Sequence, residues 1–396
     1  MYVWRKSFLA AVALLFVAAI YVPYSLLRPL PALQPTARVL KSIPAETATI
    51  TWPDYGQAAI GASRLGVLET HGPQTAVPSA SVAKVMTALA VLQKKPLKLG
   101  EQGPILTLSA TDTALYSSYV LKNGSVVPVT VGERISEYQV LQAMLLPSAN
   151  NMADSLAIWA FGSLDNYTAF ANQYAKQLGL TSTHIADASG FSAATVTTSS
   201  DLVKLGLIAM QTPTLAEIVG QSQADITGAG TVKNVNLLLG QSGIVGIKTG
   251  NTDEAGGVYL SAAKTTINGT PVTLVAAVMG APSLGQAMRS TLPLLASTAT
   301  NFSVVTPVHA GDSVVSYSTK WDGSVNAVVQ HDLHILRWRG RALSIKPVFS
   351  AIPSTAPLGT DVGSITALNI SSQQSALVLK QTPAQPSWQW RLTHPY

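Results

Sequence analysis

With 396 residues the chain has room for two ordinary domains, each with its own core. Only 11% of the residues are charged, and the formal charge of +6 is spread without a basic run or a basic–aromatic block, which excludes a disordered class and leaves no footprint for nucleic acid. Cysteine is absent, so disulfides, thiolate zinc sites, iron–sulfur clusters and thiol nucleophiles are excluded together.

Arg5 and Lys6 precede "SFLAAVALLFVAAIYVPYSLL", a stretch of about twenty mostly apolar residues, the length that spans a bilayer core. A removable secretory signal is shorter and ends in a small-x-small site. Ile20, Tyr21, Val22 and Pro23 suit cleavage poorly. Residues 1–28 are therefore expected to be an uncleaved signal anchor, with Arg5 and Lys6 in the cytoplasm and the bulk of the chain on the extracytoplasmic side. The proline-spaced residues 29–45 are expected to form a stalk. Alternation in "TATITWPDYGQAAIGASRLGVLETHG" predicts strands. A helix opened by Ser81 follows, with Val82, Val85, Met86, Leu89 and Leu92 at i, i+3, i+4, i+7 spacing.

"SEYQVLQAMLLPSANNMADSLAIWAFG" predicts two helices, the first opened by a capping box, Ser136 and Gln139, and the pair broken at Pro147. Between them lies a polar knot, Ser148-Ala149-Asn150-Asn151. "GIVGIKTG", "GGVYLSAAKTT" and "PVTLVAAVMG" predict three strands, the last two joined by a hairpin at Asn268-Gly269. Helices followed by an antiparallel meander predict an α+β layer fold over residues 46–300. Beyond that the helical period vanishes, and residues 301–396 are expected to form a small all-β domain.

Three short elements carry chemistry: Ser81-x-x-Lys84, Ser148-x-Asn150 and Lys248-Thr249-Gly250. The sequence supplies its own controls. Ser261-Ala262-Ala263-Lys264 repeats the first spacing, but on a predicted strand, where i and i+3 face opposite sides. On a helix Ser81 and Lys84 share a face. Ser324-Val325-Asn326 repeats the second spacing inside the β-rich tail. Only one set has the order helix, inter-helix knot, strand.

This set resembles the penicillin-recognising serine D,D-peptidases and class A β-lactamases. Within that superfamily the chain is similar to the low-molecular-mass D-alanyl-D-alanine carboxypeptidases. The resemblance covers roughly residues 45–300, through "ASVAK", "LLPSANNMA", "DASGFS" and "GIKTGNTDEAGG". It implies a β-lactamase/transpeptidase-like fold, an antiparallel sheet flanked by helices, followed by a β domain. It also implies an acyl-enzyme route on peptidoglycan stem peptides ending in D-Ala-D-Ala, with β-lactams as inhibitors. The family often carries a C-terminal amphipathic membrane helix, whereas "PAQPSWQWRLTHPY" has no amphipathic pattern, so attachment is expected through the N-terminal helix.

The roles follow from the residues. A serine hydroxyl needs a base, and no histidine stands in any motif, so Lys84 must serve, with its pKa brought towards neutrality by burial and a second cation. Lys248 is that cation and suits a substrate carboxylate, to which Thr249 adds a hydrogen bond. Gly250 lets the strand backbone approach closely. Ser148 is placed to pass a proton to the departing amine, and Asn150 to hold Lys84 and the substrate amide. The oxyanion hole is the Ser81 backbone N–H and, by resemblance, that of Asn251. No metal or cofactor is expected.

Five other features stand beside this set. "GIVGIKTG" lacks the glycine that a phosphate loop needs before its lysine, since Ile247 stands there. "DASGFS" is expected to be an Asx-type turn. His331, Asp332 and His334 are expected on a strand in structural roles, Arg337, Arg339 and Arg341 on one solvated strand face, and Trp388 and Trp390 in the β domain's core. Between Asn150 and Lys248 the only glutamate is Glu217, which continues as "EIVG". The E-x-x-L-N loop of class A β-lactamases is therefore missing, and a D,D-carboxypeptidase is favoured over a β-lactamase, a D,D-endopeptidase or a silent wall-binding protein.

Overall fold

The computed structural model of the chain describes residues 2–38, 40, 42–321, 323–367 and 373–394. They divide into two compact units: residues 46–303 with 338–340, and residues 1–45 with 304–337 and 341–396.

The first unit is built on a five-stranded antiparallel sheet of β1 (Gln57–Ala62), β2 (Gly66–His71), β3 (Ile244–Thr252), β4 (Gly256–Ile267) and β5 (Thr270–Ala281), in the order β3-β4-β5-β1-β2. The β4–β5 hairpin turns at Asn268 (φ +47°) and Gly269 (φ +77°), the left-handed pair that a two-residue turn requires. β1 does not alternate as its sequence suggests; every residue of it is buried. Two helices, Ser199–Gln211 and Leu284–Thr300, pack on the sheet, and neighbours of opposite facing such as Val275 and Ala276 are equally buried. Gly206 permits one of these approaches, since a Cβ there would stand 2.8 Å from Val275 and 3.0 Å from Ile247 and Leu260.

Beside the sheet lies a helical layer of α2 (Lys84–Lys94), α3 (Ala110–Leu121), α4 (Glu137–Leu145), α5 (Asn150–Phe161) and α6 (Leu164–Gln177). Lys84 to Leu92 is buried without a break, wider than the single apolar face that the spacing predicts, because α4, α5 and α6 all pack on this helix. At α4 only half of the predicted capping box forms. Ser136 accepts from the Gln139 N–H at 3.2 Å, while the Gln139 side chain turns away to the Asp225 carbonyl.

The second unit holds a six-stranded antiparallel sheet in the order 35–37, 313–318, 324–329, 373–379, 361–367, 345–349. Its first strand corrects the stalk expectation for residues 29–45. Pro35–Ala37 pairs with Val315–Tyr317, Leu33 bridges to Ile352 and Ile43 to Leu343, so the apolar residues between the prolines are taken into the β core. Three further expectations are corrected here. His331, Asp332 and His334 precede the strand Ile335–Trp338 instead of lying on it. Arg337 is buried, with Nη1 donating to the Pro44 carbonyl, while Arg339 and Arg341 lie beyond the strand and are exposed. Trp388 and Trp390 belong to a short helix, Trp388–Thr393, and leave Trp388 61% exposed.

That helix meets the end of the long apolar helix α1 (Tyr2–Leu27). Arg391 donates to the Leu26 and Arg28 carbonyls at 2.8 and 3.1 Å, Tyr21 donates to the Leu392 carbonyl at 2.6 Å, and Arg28 donates to the Arg391 and His394 carbonyls. Cationic side chains thus satisfy carbonyls that the last turn of a helix leaves open. Residues 4–24 of α1 are exposed, and the helix is long and apolar enough to cross a membrane, a property that a signal sequence shares.

Candidate active site

Ser81 lies in a 3-10 turn, Ala80–Ala83, that runs directly into α2, so it stands inside the helical run and not at its N-cap. The turn is tightly enclosed. Ala80 has φ +46°, a left-handed conformation that costs an L-residue about 1–2 kcal/mol. A Cβ on Gly190 would fall 1.9 Å from the Ala80 carbonyl oxygen, and one on Gly250 would fall 3.1 Å from the Ser81 backbone nitrogen. Two glycines on separate segments thus press their backbones against the residues that carry Ser81. The β3 edge strand reaches Ser81 because it has no side chain at Gly250.

Lys84 is fully buried. Its Nζ lies 2.8 Å from Ser81 Oγ, 2.7 Å from Asn150 Oδ1 and 2.8 Å from the Ser189 carbonyl oxygen. These acceptors match the three protons of an ammonium group. On loss of one proton, the lone pair can face Ser81 while the other two acceptors stay satisfied. Burial lowers the Lys84 pKa from 10.5 to about 7, against Asp187 and Asp154, which pull it up. The helical spacing of the first motif thus brings a buried amine of lowered pKa into contact with the hydroxyl.

Ser148 and Asn150 stand between α4 and α5. Ser148 is buried with φ +69°, and Asn150 is the first residue of α5. The Asn150 N–H donates to the Ser125 carbonyl at 2.7 Å, and the Asn151 side chain clamps both the N–H and the carbonyl of Val127. This fixes the knot to the segment before α4 and aims Asn150 at Lys84. Lys248 and Thr249 are buried on β3, and Asn251 follows exposed. Lys248 Nζ donates to the Thr249 carbonyl at 3.1 Å. Burial first, and then the charge of Lys84, hold its pKa well below the usual lysine value. Lys248 therefore senses Lys84, whereas burial is what lowers Lys84, and the second cation expected to help is not among the groups that shift it.

"DASGFS" makes the expected turn. The Asp187 carboxylate accepts from Ser189 Oγ at 2.7 Å, from the Phe191 N–H at 2.9 Å and from Thr195 Oγ1 at 2.5 Å. The turn also presents the Ser189 carbonyl to Lys84, a contact that no side-chain motif announces. Thr87, one turn beyond Lys84, donates to the Ala188 carbonyl at 2.6 Å and pins the same loop. The two control motifs fail as expected. Ser261 is buried and bonded to the Ala276 carbonyl while Lys264 points to solvent, and Ser324 and Asn326 lie on the strand Ser324–Val329 of the other unit.

Comparison with known proteins agrees with this geometry. The profile of the Peptidase S11 family, D-alanyl-D-alanine carboxypeptidase, matches residues 60–283. A D-alanyl-D-alanine endopeptidase of Pseudomonas aeruginosa is 33% identical over 222 residues, which is 53% of this chain and 66% of that protein. The D-alanyl-D-alanine carboxypeptidase DacA of Escherichia coli K12 is 26% identical over 272 residues, 67% of this chain and 66% of its own length. The chain thus spans just under two thirds of these curated relatives. Among solved structures, the Streptomyces K15 DD-transpeptidase superposes with a TM-score of 0.54 at 25% identity, covering 64% of this chain and 98% of that one. Penicillin binding protein 5 of Haemophilus influenzae, at 18% identity, shares the fold with a TM-score of 0.59 over 86% of this chain and 99% of its own. With the family profile matched over more than half its length, the chain belongs to the D-alanyl-D-alanine carboxypeptidase family, within the penicillin-recognising serine peptidases.

Proposed function

We propose that the chain is a penicillin-binding serine D,D-carboxypeptidase that removes the terminal D-alanine from peptidoglycan stem peptides. The observation that carries this reading is the 2.8 Å contact between Ser81 Oγ and a buried Lys84 whose pKa lies near 7. Neutral Lys84 takes the proton as Ser81 Oγ attacks the carbonyl of the penultimate D-alanine. The developing oxyanion is held by the backbone N–H groups of Ser81 and Asn251. Ser148 relays a proton to the departing D-alanine nitrogen, the C–N bond breaks, and the acyl group stays on Ser81. Water then attacks the ester, losing its proton to the same base, and restores the serine. Lys248 and Thr249 bind the substrate's free carboxylate, and Asn150 holds Lys84 and the substrate amide. A β-lactam carries a comparable carboxylate beside a strained amide and acylates Ser81 by the same first step. Glu217 is engaged by the Tyr138 hydroxyl at 2.9 Å, which supports a slowly hydrolysed adduct instead of a β-lactamase.

A second reading, a D,D-endopeptidase acting on cross-links, is favoured by the 33% identity to the Pseudomonas aeruginosa endopeptidase. We further infer a single-pass location with the catalytic unit outside the cytoplasm. The support is the apolar α1 and the helix Trp388–Thr393 that closes on its last turn. The deciding experiment incubates the detergent-solubilised chain with a pentapeptide ending in D-Ala-D-Ala and with a cross-linked stem-peptide dimer. Loss of one alanine from the pentapeptide alone supports the carboxypeptidase, and cleavage of the dimer alone supports the endopeptidase. A fluorescent penicillin should label the wild type and leave Ser81→Ala unlabelled. Persistent labelling of that variant sinks both readings.

A further inference from the structure

The helix α3 sends one side chain into the surroundings of Lys84. Tyr119 is half-buried, and its ring meets that of Phe191 edge-on at 5.5 Å. Its hydroxyl donates to Asp154 Oδ2 at 2.8 Å and lies 3.3 Å from Ser189 Oγ. Both contacts lead back to the base. Asp154 stands on α5 one helical turn beyond Asn150, which takes Lys84 Nζ through Oδ1. Ser189 takes Lys84 Nζ through its carbonyl. A closed circuit therefore runs from Lys84 through Ser189, Tyr119 and Asp154 along one turn of α5 to Asn150, and returns to Lys84. Neither Tyr119 nor Asp154 belongs to the three motifs.

Asp154 is an expensive residue to keep there. It is only 4% exposed, and its Oδ1 meets no hydrogen-bond donor. A buried carboxylate with an open oxygen costs several times what one surface charge contributes. An asparagine of the same shape would remove the charge, so packing alone does not account for an acid at this position.

We propose that Tyr119 and Asp154 are positioning residues for Lys84: the phenol ties both partners of the lysine together, and the carboxylate supplies the buried negative charge that sets how readily the lysine gives up its proton. The proposal rests on the acyl-enzyme reading given above. The charges agree with the geometry. Asp187 and Asp154 are the two anions that raise the Lys84 pKa against burial. Burial pushes the Asp154 carboxyl up to about 6, Asp187 adds to that rise, and the Tyr119 hydroxyl, Lys84 and Lys122 oppose it. The other titratable groups facing this cluster are Tyr167 on α6, which senses Asp187 and Asp154, and Lys248 on β3, which senses Lys84. The proton count is informative. Ser189 Oγ gives its proton to Asp187 and Tyr119 gives its own to Asp154, so the 3.3 Å contact between the two hydroxyls gains a proton only when Asp154 is itself protonated.

The test follows acylation of the detergent-solubilised full chain by a fluorescent penicillin from pH 5 to 9, in the wild type, Asp154→Asn, Tyr119→Phe and, as a control, Asp165→Asn at an exposed carboxylate of α6. The wild-type rate should rise through an inflection near pH 7, where Lys84 becomes neutral. Removing the Asp154 charge disfavours the ammonium, so Asp154→Asn should move the inflection to lower pH by about half a unit or more. Tyr119→Phe takes a donor from the carboxylate, which then protonates more readily, and should shift the inflection in the same direction. Asp165→Asn should leave it in place. Should Asp154→Asn fail to fold, Tyr119→Phe, altered at a half-buried position, carries the test alone. Wild-type inflections in the folded variants, with rates changed only by a constant factor, overturn the proposal and leave the pair a structural strut. A wild type that takes no label at Ser81 overturns the acyl-enzyme reading itself, which is a separate result.

Discussion

Replacing Lys84 by arginine keeps the positive charge and removes the group that the proposed reading makes the base. With the Lys84 pKa near 7, about half of the wild-type molecules carry a neutral amine at pH 7. A guanidinium with a pKa above 12 is neutral in fewer than about 1 in 10⁵ molecules at that pH. If the lysine is the base, the supply of competent enzyme falls by about 10⁴- to 10⁵-fold, equivalent to about 5–7 kcal/mol of transition-state stabilisation. The larger head also enters a fully buried position, and overpacking there costs about 1–3 kcal/mol of folding stability. The assay is the second-order rate of acylation by a fluorescent penicillin from pH 6 to 10, with a thermal melt to establish that the variant is folded. Wild-type acylation should lose about tenfold per pH unit below 7, because the group's pKa is depressed and its protonated form is the inactive one. Lys84→Arg should show no measurable acylation across the range. A folded Lys84→Arg that acylates within about tenfold of the wild type would falsify the assignment of the base.

Three other perturbations test separate parts of the structure. Lys248→Arg keeps a cation where a carboxylate is to be bound and should retain acylation, reduced ~10- to 1000-fold or about 1.4–4 kcal/mol; rates matching those of Lys84→Arg would show that Lys248 also moves a proton. Gly250→Ala places a Cβ 3.0 Å from Ala80 Cβ and 3.1 Å from the Ser81 nitrogen, so the edge strand must withdraw by a few tenths of an ångström. Acylation should drop ~10- to 100-fold with little change in melting temperature, and an unchanged rate would detach β3 from the reacting groups. Glu137 is buried with neither carboxylate oxygen partnered, and burial raises its pKa to about 7. The folded state therefore prefers the neutral acid, and stability should decline by about 1–3 kcal/mol as pH rises from 4.5 to 7. In Glu137→Gln the decline should shrink by that amount in urea-unfolding curves measured at several pH values, leaving the part that Asp154 contributes below about pH 6; an unchanged decline would mean that the Glu137 carboxylate is better solvated than its surroundings suggest.

What was legible in the sequence followed local rules. The spacing of Ser81 and Lys84 predicts a shared helical face, Asn268-Gly269 predicts a hairpin, and the two control motifs are rejected by period alone. The three motifs could be set in order but not in space, because the contacts joining them are made by backbone. The Ser189 carbonyl, the Gly190 Cα against Ala80 and the Gly250 Cα against Ser81 leave no mark beyond an unexplained glycine or a turn. Tyr119 and Asp154 were missed for another reason: their partners lie 35 and 70 residues away from Tyr119, beyond any periodic signal. In the β unit, alternation identified strands but not their pairing. Residues 29–45 look like a stalk because their prolines suppress the pattern, although Leu33 and Ile43 make the bridges of an edge segment. The helix Trp388–Thr393 is short, and its partner is the opposite end of the chain, so no local amphipathic stripe was needed to hold it.

That a charge-poor chain places a lysine in an apolar helix has an electrostatic explanation on the proposed reading. Lys84 and Lys248 are both buried, and burial pushes an ammonium towards losing its proton, at Lys84 against the pull of Asp187 and Asp154. At Lys84 this is the useful outcome, because the neutral amine is the base. At Lys248 it looks self-defeating, since the task there is to hold an anion. The two requirements meet when a substrate arrives. A carboxylate beside Lys248 supplies a counter-charge and favours the ammonium form there. A neutral ester or amide at the same position supplies no such charge and gains less. The burial that makes one lysine a base thus makes the other selective for acids, and a peptide with a free C-terminal carboxylate meets both conditions.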